Sequence, residues 1–219
     1  MILVQDVHKR YKTKRGVGKW VLRGINLVIP TGRSVGLIGK NGAGKSTLLR
    51  IIGGVDYPTK GKVVRNCRVS WPMNGGGLEA TLTGRQNAKF TCRIHGHQAD
   101  LEERIQRIED FAELGTYFDE PVQTYSSGMK ARLQFALSMA FDFDVYISDE
   151  ATAAGDATFV KKAQKAFDDA VNRASLIMVA HNEAKLKSFC QSGIFLYNGK
   201  AIWYEKIDDA LAAYRESIQ

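Results

Sequence analysis

An α/β fold is predicted by three features of the sequence. A short apolar strand, Ser34 to Ile38, runs into a glycine-rich loop, Gly39 to Thr47, and then into helical spacing from Ser46 to Ile52. Ahead of it, Ile2 to Val7 and Val21 to Ile29 alternate as strands, which makes the start of the chain antiparallel β. After it, helix-favouring sequence gives way to apolar strands at Val145 to Ile147 and Ser175 to Val179 with a helix between them.

Each element has its own boundary signal. The strand from Val21 is closed by the Pro30-Thr31-Gly32 turn, and Gly53-Gly54 stops the helix that follows the loop. Gly75-Gly76-Gly77 marks another loop. Beyond it, residues from about Gly84 to Leu114 are charged and helix-favouring, with Leu101, Ile105, Ile108 and Phe111 at spacings of three and four. A small helical subdomain over about 84–140 is expected. A helix starts at Ser127-Gly128 and runs through Met139, and a polar-faced one spans Asp156 to Asn172. Asn182 to Phe189 reads as a helix, Ile194 to Tyr197 and Ala201 to Tyr204 as a hairpin over Asn198-Gly199, and Ile207 to about Glu216 as the last helix. With no internal repeat and no long linker, residues 1–219 are expected to form a single domain.

Composition narrows the function classes. The chain has 219 residues, 44% hydrophobic and 25% charged, enough to bury a core. Its apolar runs break well short of the roughly 18 residues a membrane span needs, and Met1 to Asp6 meets an acid at once, unlike a signal peptide. A cytoplasmic protein is expected. Cys67, Cys92 and Cys190 are odd in number and lack C-x-x-C spacing, so they are expected to pack rather than to bridge or bind zinc. The four histidines also lack metal spacing. The formal charge of +8 is scattered, with modest clusters at Lys9 to Arg15 and Lys60 to Arg68. It comes without a recognition motif, so a solvated or membrane-facing surface is favoured and no nucleic acid is expected as partner.

The loop Gly39-Lys40-Asn41-Gly42-Ala43-Gly44-Lys45-Ser46-Thr47 matches G-x-x-x-x-G-K-[ST]. Glycines let the backbone approach a triphosphate closely, and the following helix aims its N-terminus at the phosphates. Lys45 is expected to reach the β/γ-phosphates of a nucleotide, and the Ser46 hydroxyl to bind Mg²⁺. Asp149 ends an apolar strand, placing its carboxylate near that metal, while the adjacent Glu150 would polarise the attacking water. His181 follows the strand Leu176 to Ala180 and would emerge at the same edge, within reach of the γ-phosphate. Tyr11, in Lys9-Arg10-Tyr11-Lys12, offers an aromatic face for adenine.

Tyr125-Ser126-Ser127-Gly128-Met129, lying between the glycine loop and Val145 to Glu150, resembles the signature of the ATP-binding cassette (ABC) family, and the motif order covers essentially the whole chain. Within that family, Ser70-Trp71-Pro72, Leu82 to Asn87, Phe111 to Phe118, Thr124 to Met129 and Asp149 to Asp156 resemble the ATP-binding subunit of bacterial capsule polysaccharide exporters. Related exporters move O-antigen and teichoic acid. The resemblance implies a cassette with a P-loop RecA-like core, an antiparallel β subdomain and a helical subdomain. It implies a head-to-tail homodimer in which Ser126, Ser127, Gly128 and Met129 of one copy face the ATP of the other. Ala153 to Asp156 would link the two sites, and residues near 71–87 would touch a dimeric integral-membrane permease. The implied activity is ATP hydrolysis driving export of lipid-linked capsular polysaccharide from the cytoplasmic face of the inner membrane, with further capsule-export components. Two departures stand out. Ser127 and Met129 replace the general Gly and Gln, a change shared by the capsule branch. The loop that usually carries a γ-phosphate-sensing glutamine offers only Asn74 or Glu79, and Gln86 falls too late.

Two other classes compete. A soluble ABC machine acting on nucleic acid or ribosomes would suit the charge, but such proteins usually carry two cassettes or long insertions. A non-catalytic scaffold is at odds with the Asp149-Glu150 pair and His181.

Overall fold

Two long strands, β1 (Ile2–Thr13) and β2 (Gly16–Ile29), pair antiparallel, and β4 (Lys60–Arg65) joins the other edge of β1 to give the order β2-β1-β4. The computed structural model describes all residues except 14, 15, 74–76, 97, 98, 150–155, 181 and 219. Both first strands outrun the sequence expectation, which ended one at Val7 and began the other at Val21. The extra ladder, with Arg10 opposite Trp20 and Lys12 opposite Val17, is a largely polar ribbon, exposed from Arg10 to Lys12, with no apolar alternation to mark it. Its register is held by backbone bonds and by the Arg10 guanidinium 4.4 Å from the Trp20 ring centroid.

The second sheet has the order β5-β6-β7-β3-β8-β9. Its strands are β3 (Val35–Ile38), β5 (Val69–Pro72), β6 (Val145–Asp149), β7 (Ser175–Val179), β8 (Ser192–Tyr197) and β9 (Lys200–Tyr204). The first five run parallel and only β9 is antiparallel. β3, β6 and β7 are buried along nearly their whole length, as continuous apolar runs in a parallel sheet should be. The hairpin expected over Asn198-Gly199 is present, with both residues at positive φ, 48° and 77°. That is the geometry a two-residue turn needs to match strand twist. One core of buried Val, Leu and Ile joins both sheets and the helix α1 (Lys45–Ile52). On the same sheet pack α6 (Glu183–Phe189), capped by the Asn182 side chain, and α7 (Ile207–Glu216).

These elements make up one compact unit, Met1–Pro72, residues 143–150 and Val171–Gln219. The other unit holds Met73–Asp142 and the following helix as far as Ala170. It contains α2 (Gly84–Ile94), α3 (Leu101–Ala112), two 3₁₀ turns at Gly115–Asp119 and Val122–Thr124, α4 (Ser127–Met139) and α5 (Ala157–Val171). The helical run read from Gly84 to Leu114 is broken by Gly96 at φ 77°. Phe111 stacks on Phe135 and meets the edge of Phe159, which ties α3, α4 and α5 together.

No described helix is long and apolar enough to cross a membrane. The cysteines are free, with Cys92 and Cys190 buried and Cys67 half-buried. Burial pushes both buried thiols up, that of Cys190 to about 12. In native protein a disulfide-exchange reagent at mildly alkaline pH is therefore expected to modify at most the Cys67 thiol, and all three after unfolding. Fast reaction of all three without denaturant would refute this packing.

Candidate functional site

The carboxyl ends of β3, β6 and β7 lie at one edge of the parallel sheet, where an α/β sheet opens its ligand crevice. β3 leads into the glycine loop and β6 ends on Asp149. Between them is a cleft of about 330 Å³ lined by Asn41, Gly42, Gly44, Lys45, Ser46, Thr47 and Asp149, with Val21 and Val179 as its apolar wall. Gly44, at φ 103°, is the residue before α1, so the helix opens directly onto the cleft. Its first-turn N–H groups have no partners inside the helix and no acid in that turn competes for them. An anion is the natural complement. The Lys45 ammonium donates to the Gly39 and Lys40 carbonyls at 2.7 and 3.1 Å, which curls the side chain back over the loop where phosphate oxygens can take over those donors.

Gly39 has a separate reason to be glycine. A Cβ there would lie 2.4 Å from the Leu196 carbonyl oxygen on β8, because the loop leaves the sheet in contact with the neighbouring strand. Gly39→Ala is expected to cost about 1–3 kcal/mol as an overpacking change, read from chemical denaturation. Gly128 differs: a Cβ there meets nothing nearer than the Ser126 hydroxyl at 3.9 Å. Gly128→Ala should stay within about 0.5 kcal/mol of wild type or gain helix stability. Equal losses at the two positions would contradict this contrast.

The sequence-predicted residues do not all converge. Asn41, Gly42, Gly44, Lys45, Ser46, Thr47 and Asp149 share the cleft, whereas Gly39, Lys40 and Ala43 complete the loop without lining it. Tyr11 does not line it either. Its hydroxyl donates to Asp56 at 3.0 Å and lies 3.4 Å from the Thr47 hydroxyl, and Lys9 sits 4.8 Å from its ring centroid. Glu150, His181 and Ala153 to Gly155 lie outside the described residues. Among the loop candidates for a missing glutamine, Asn74 is likewise outside them. A Glu79 oxygen accepts the Thr81 hydroxyl at 2.9 Å. Gln86 closes a capping box with Thr83 at the start of α2, a structural duty.

Ser126, Ser127, Gly128 and Met129 form the N-terminus of α4 in the other unit. Ser126 is its cap, accepting the Met129 N–H at 3.2 Å, and Ser126 and Ser127 are exposed. Asp156 caps α5: one oxygen accepts the Thr158 and Phe159 N–H groups at 3.0 Å and the other meets Arg132. The Phe159 N–H, with Arg132 and Thr158, holds this carboxyl below the usual aspartate range. Spacing gave no hint of the Arg132 pairing.

Hard oxygen donors from Ser46 and Asp149 in one cleft fit Mg²⁺, which keeps several waters and uses few protein ligands. No group of three metal-binding side chains occurs among the described residues.

Comparison with known proteins agrees with this geometry. The ABC transporter family pattern matches residues 22–153. The chain is 46% identical to the polysialic acid transport ATP-binding protein KpsT of Escherichia coli, over 100% of both chains. It is 41% identical to the capsule polysaccharide export ATP-binding protein CtrD of Neisseria meningitidis serogroup B, over 98% of each. Among solved structures, an ATP-binding cassette in a dimeric, post-hydrolysis state with ADP and Pi superposes with a TM-score of 0.71. That likeness, at 24% identity, spans 94% of this chain and 99% of the other.

Proposed function

Because the chain belongs to the ABC transporter family, we propose that it is the ATP-hydrolysing subunit of an exporter of lipid-linked capsular polysaccharide. It works as a homodimer bound to a dimeric integral-membrane permease on the cytoplasmic face of the inner membrane, and both units together make one cassette. The observation that carries the ATP reading is the meeting of Lys45, Ser46 and Asp149 in one cleft at the mouth of α1. The transport reading is supported by the full-length similarity to capsule-export subunits.

In this reading the loop N–H groups and Lys45 hold the β- and γ-phosphates, and Ser46 and Asp149 hold Mg²⁺, which neutralises charge developing on the transferred phosphoryl group. Glu150 follows Asp149 directly in sequence and takes the role of polarising water, while His181, which comes shortly after β7 in sequence, takes the contact to the γ-phosphate. The exposed α4 N-terminus suits a phosphate supplied by a second copy. The space beside Gly128, which this chain's own packing does not require, supports close approach from outside. Asp156, fixed by the α5 N-terminus and by Arg132, gives the linking loop a rigid end.

Deleting the gene is expected to abolish surface polysaccharide while lipid-linked glycan accumulates inside the cell, and fractionation should place the protein on the inner membrane only when its permease is present. Normal surface glycan in the deletion would overturn the transport reading. Permease-independent membrane binding that high salt releases would assign membrane attachment to the +8 charge instead.

A further inference from the structure

Beside the phosphate cleft runs a groove of about 400 Å³, walled by β2, the first half of the glycine loop and the β8–β9 turn. It shares Val21, Asn41 and Gly42 with the cleft, so the two form one continuous opening. Its lining includes Lys19, Arg23 and Lys40 but no carboxylate. All three cations are exposed. Other cations of the same unit do meet acids, among them Lys9 with Asp56, Arg33 with Glu205 and Arg68 with Asp144. Lys19, Arg23 and Lys40 have no such partner among the described residues. Arg23 is also held in place, its backbone N–H bonded to the Gly199 carbonyl at 2.7 Å and its stem packed on that glycine.

An unpaired positive lining beside a phosphate site has a kinetic meaning. Exposed charges screened by salt add little to the stability of a bound complex, yet they bias the approach of a multiply charged anion over a Debye length. Resting on the nucleotide reading of the cleft, we propose that this groove is an electrostatic capture surface. It speeds the association of nucleoside polyphosphates with the glycine loop and makes no contact that holds them once bound. Lys19 and Arg23, remote in sequence from the loop, act with Lys40 at its edge.

The test is stopped-flow binding of a ribose-labelled fluorescent ATP with Mg²⁺ to the full chain and to Lys19→Gln/Arg23→Gln, which leaves the loop intact. For an anion of two net charges passing roughly 10 Å from each removed cation, association should slow about sevenfold at 0.01 M ionic strength and about twofold at 0.15 M. At 1 M the two proteins should converge. Dissociation should not change. The charge-keeping exchange Lys19→Arg/Arg23→Lys should restore the wild-type rate, which separates charge from folding damage. Equal association rates at low salt would overturn the proposal, as would a slowing that salt does not erase or that Lys19→Arg/Arg23→Lys shares. An effect confined to dissociation would make the groove part of the bound ligand's site and also overturn it. Altered ATP-driven dimerisation with unchanged association would assign the groove to an acidic surface of a second copy. If wild type gives no saturable signal, it is the nucleotide reading of the cleft that fails.

Discussion

Glu150→Gln is expected to bind ATP normally and to accumulate as an ATP-stabilised dimer on a sizing column, while turnover falls by roughly two to four orders of magnitude. The amide keeps shape and hydrogen-bonding capacity but loses the charge that polarises water. Asp149, its neighbour in sequence, lies in the cleft with Lys45 and Ser46. Binding and hydrolysis should separate cleanly in this variant, as they do when a group acts only in the transition state. Near-normal hydrolysis would remove Glu150 from the catalytic role.

Lys45→Ala and Gly128→Asp are each expected to abolish ATP-dependent closure as homodimers and to recover it in part when mixed. If every site pairs the glycine loop of one copy with the α4 N-terminus of the other, each mutant homodimer has two damaged sites. The mixed dimer instead has one complete site, the loop of the Gly128→Asp chain facing the intact signature of the Lys45→Ala chain. Gly128→Asp is a suitable lesion because it puts a carboxylate at an exposed helix N-terminus where a phosphate is meant to approach, without crowding its own chain. Nucleotide trapping in the purified mixed dimer is the measurement, because it reads a single complete site whether or not turnover needs two. No trapping under saturating ATP would sink the shared-site arrangement.

The loop and the strand end that line the cleft were legible because their signals are local. A glycine loop between a strand and a helix, an apolar strand ending in acids, and an Asn-Gly turn each describe their own backbone. What escaped was decided by pairing at a distance. β4, read only as part of a basic cluster, is an edge strand bonded to β1 alone, with three of its six residues exposed at its start and little alternation. β5 is four residues long, and its register against β6 is irregular, with the Ser70 hydroxyl taking the Ile147 N–H at 2.8 Å. Tyr11 was read only for its ring, and the placing of its hydroxyl beside Asp56 and Thr47 went unread. Nothing in Lys9-Arg10-Tyr11-Lys12 announces partners forty residues away. The positive groove was equally hidden, since Lys19, Arg23 and Lys40 come together only when β2 lies beside the loop.

The strand order has a consequence for how this protein is made. The sheet β2-β1-β4 is complete once residue 65 has been synthesised, but β3, which carries the glycine loop, is bonded to β7 and β8. Its partners leave the ribosome about 140–160 residues later, a wait on the order of 10–30 s at typical elongation rates. Throughout that interval the apolar Val35–Ile38 segment has its helix but neither of its neighbouring strands. A nascent chain arrested before residue 175 therefore carries every loop residue of the phosphate site without the sheet that shapes it. Such a chain is a natural client for chaperones that bind short extended apolar segments, and nucleotide cannot rescue it until β7 and β8 have been delivered.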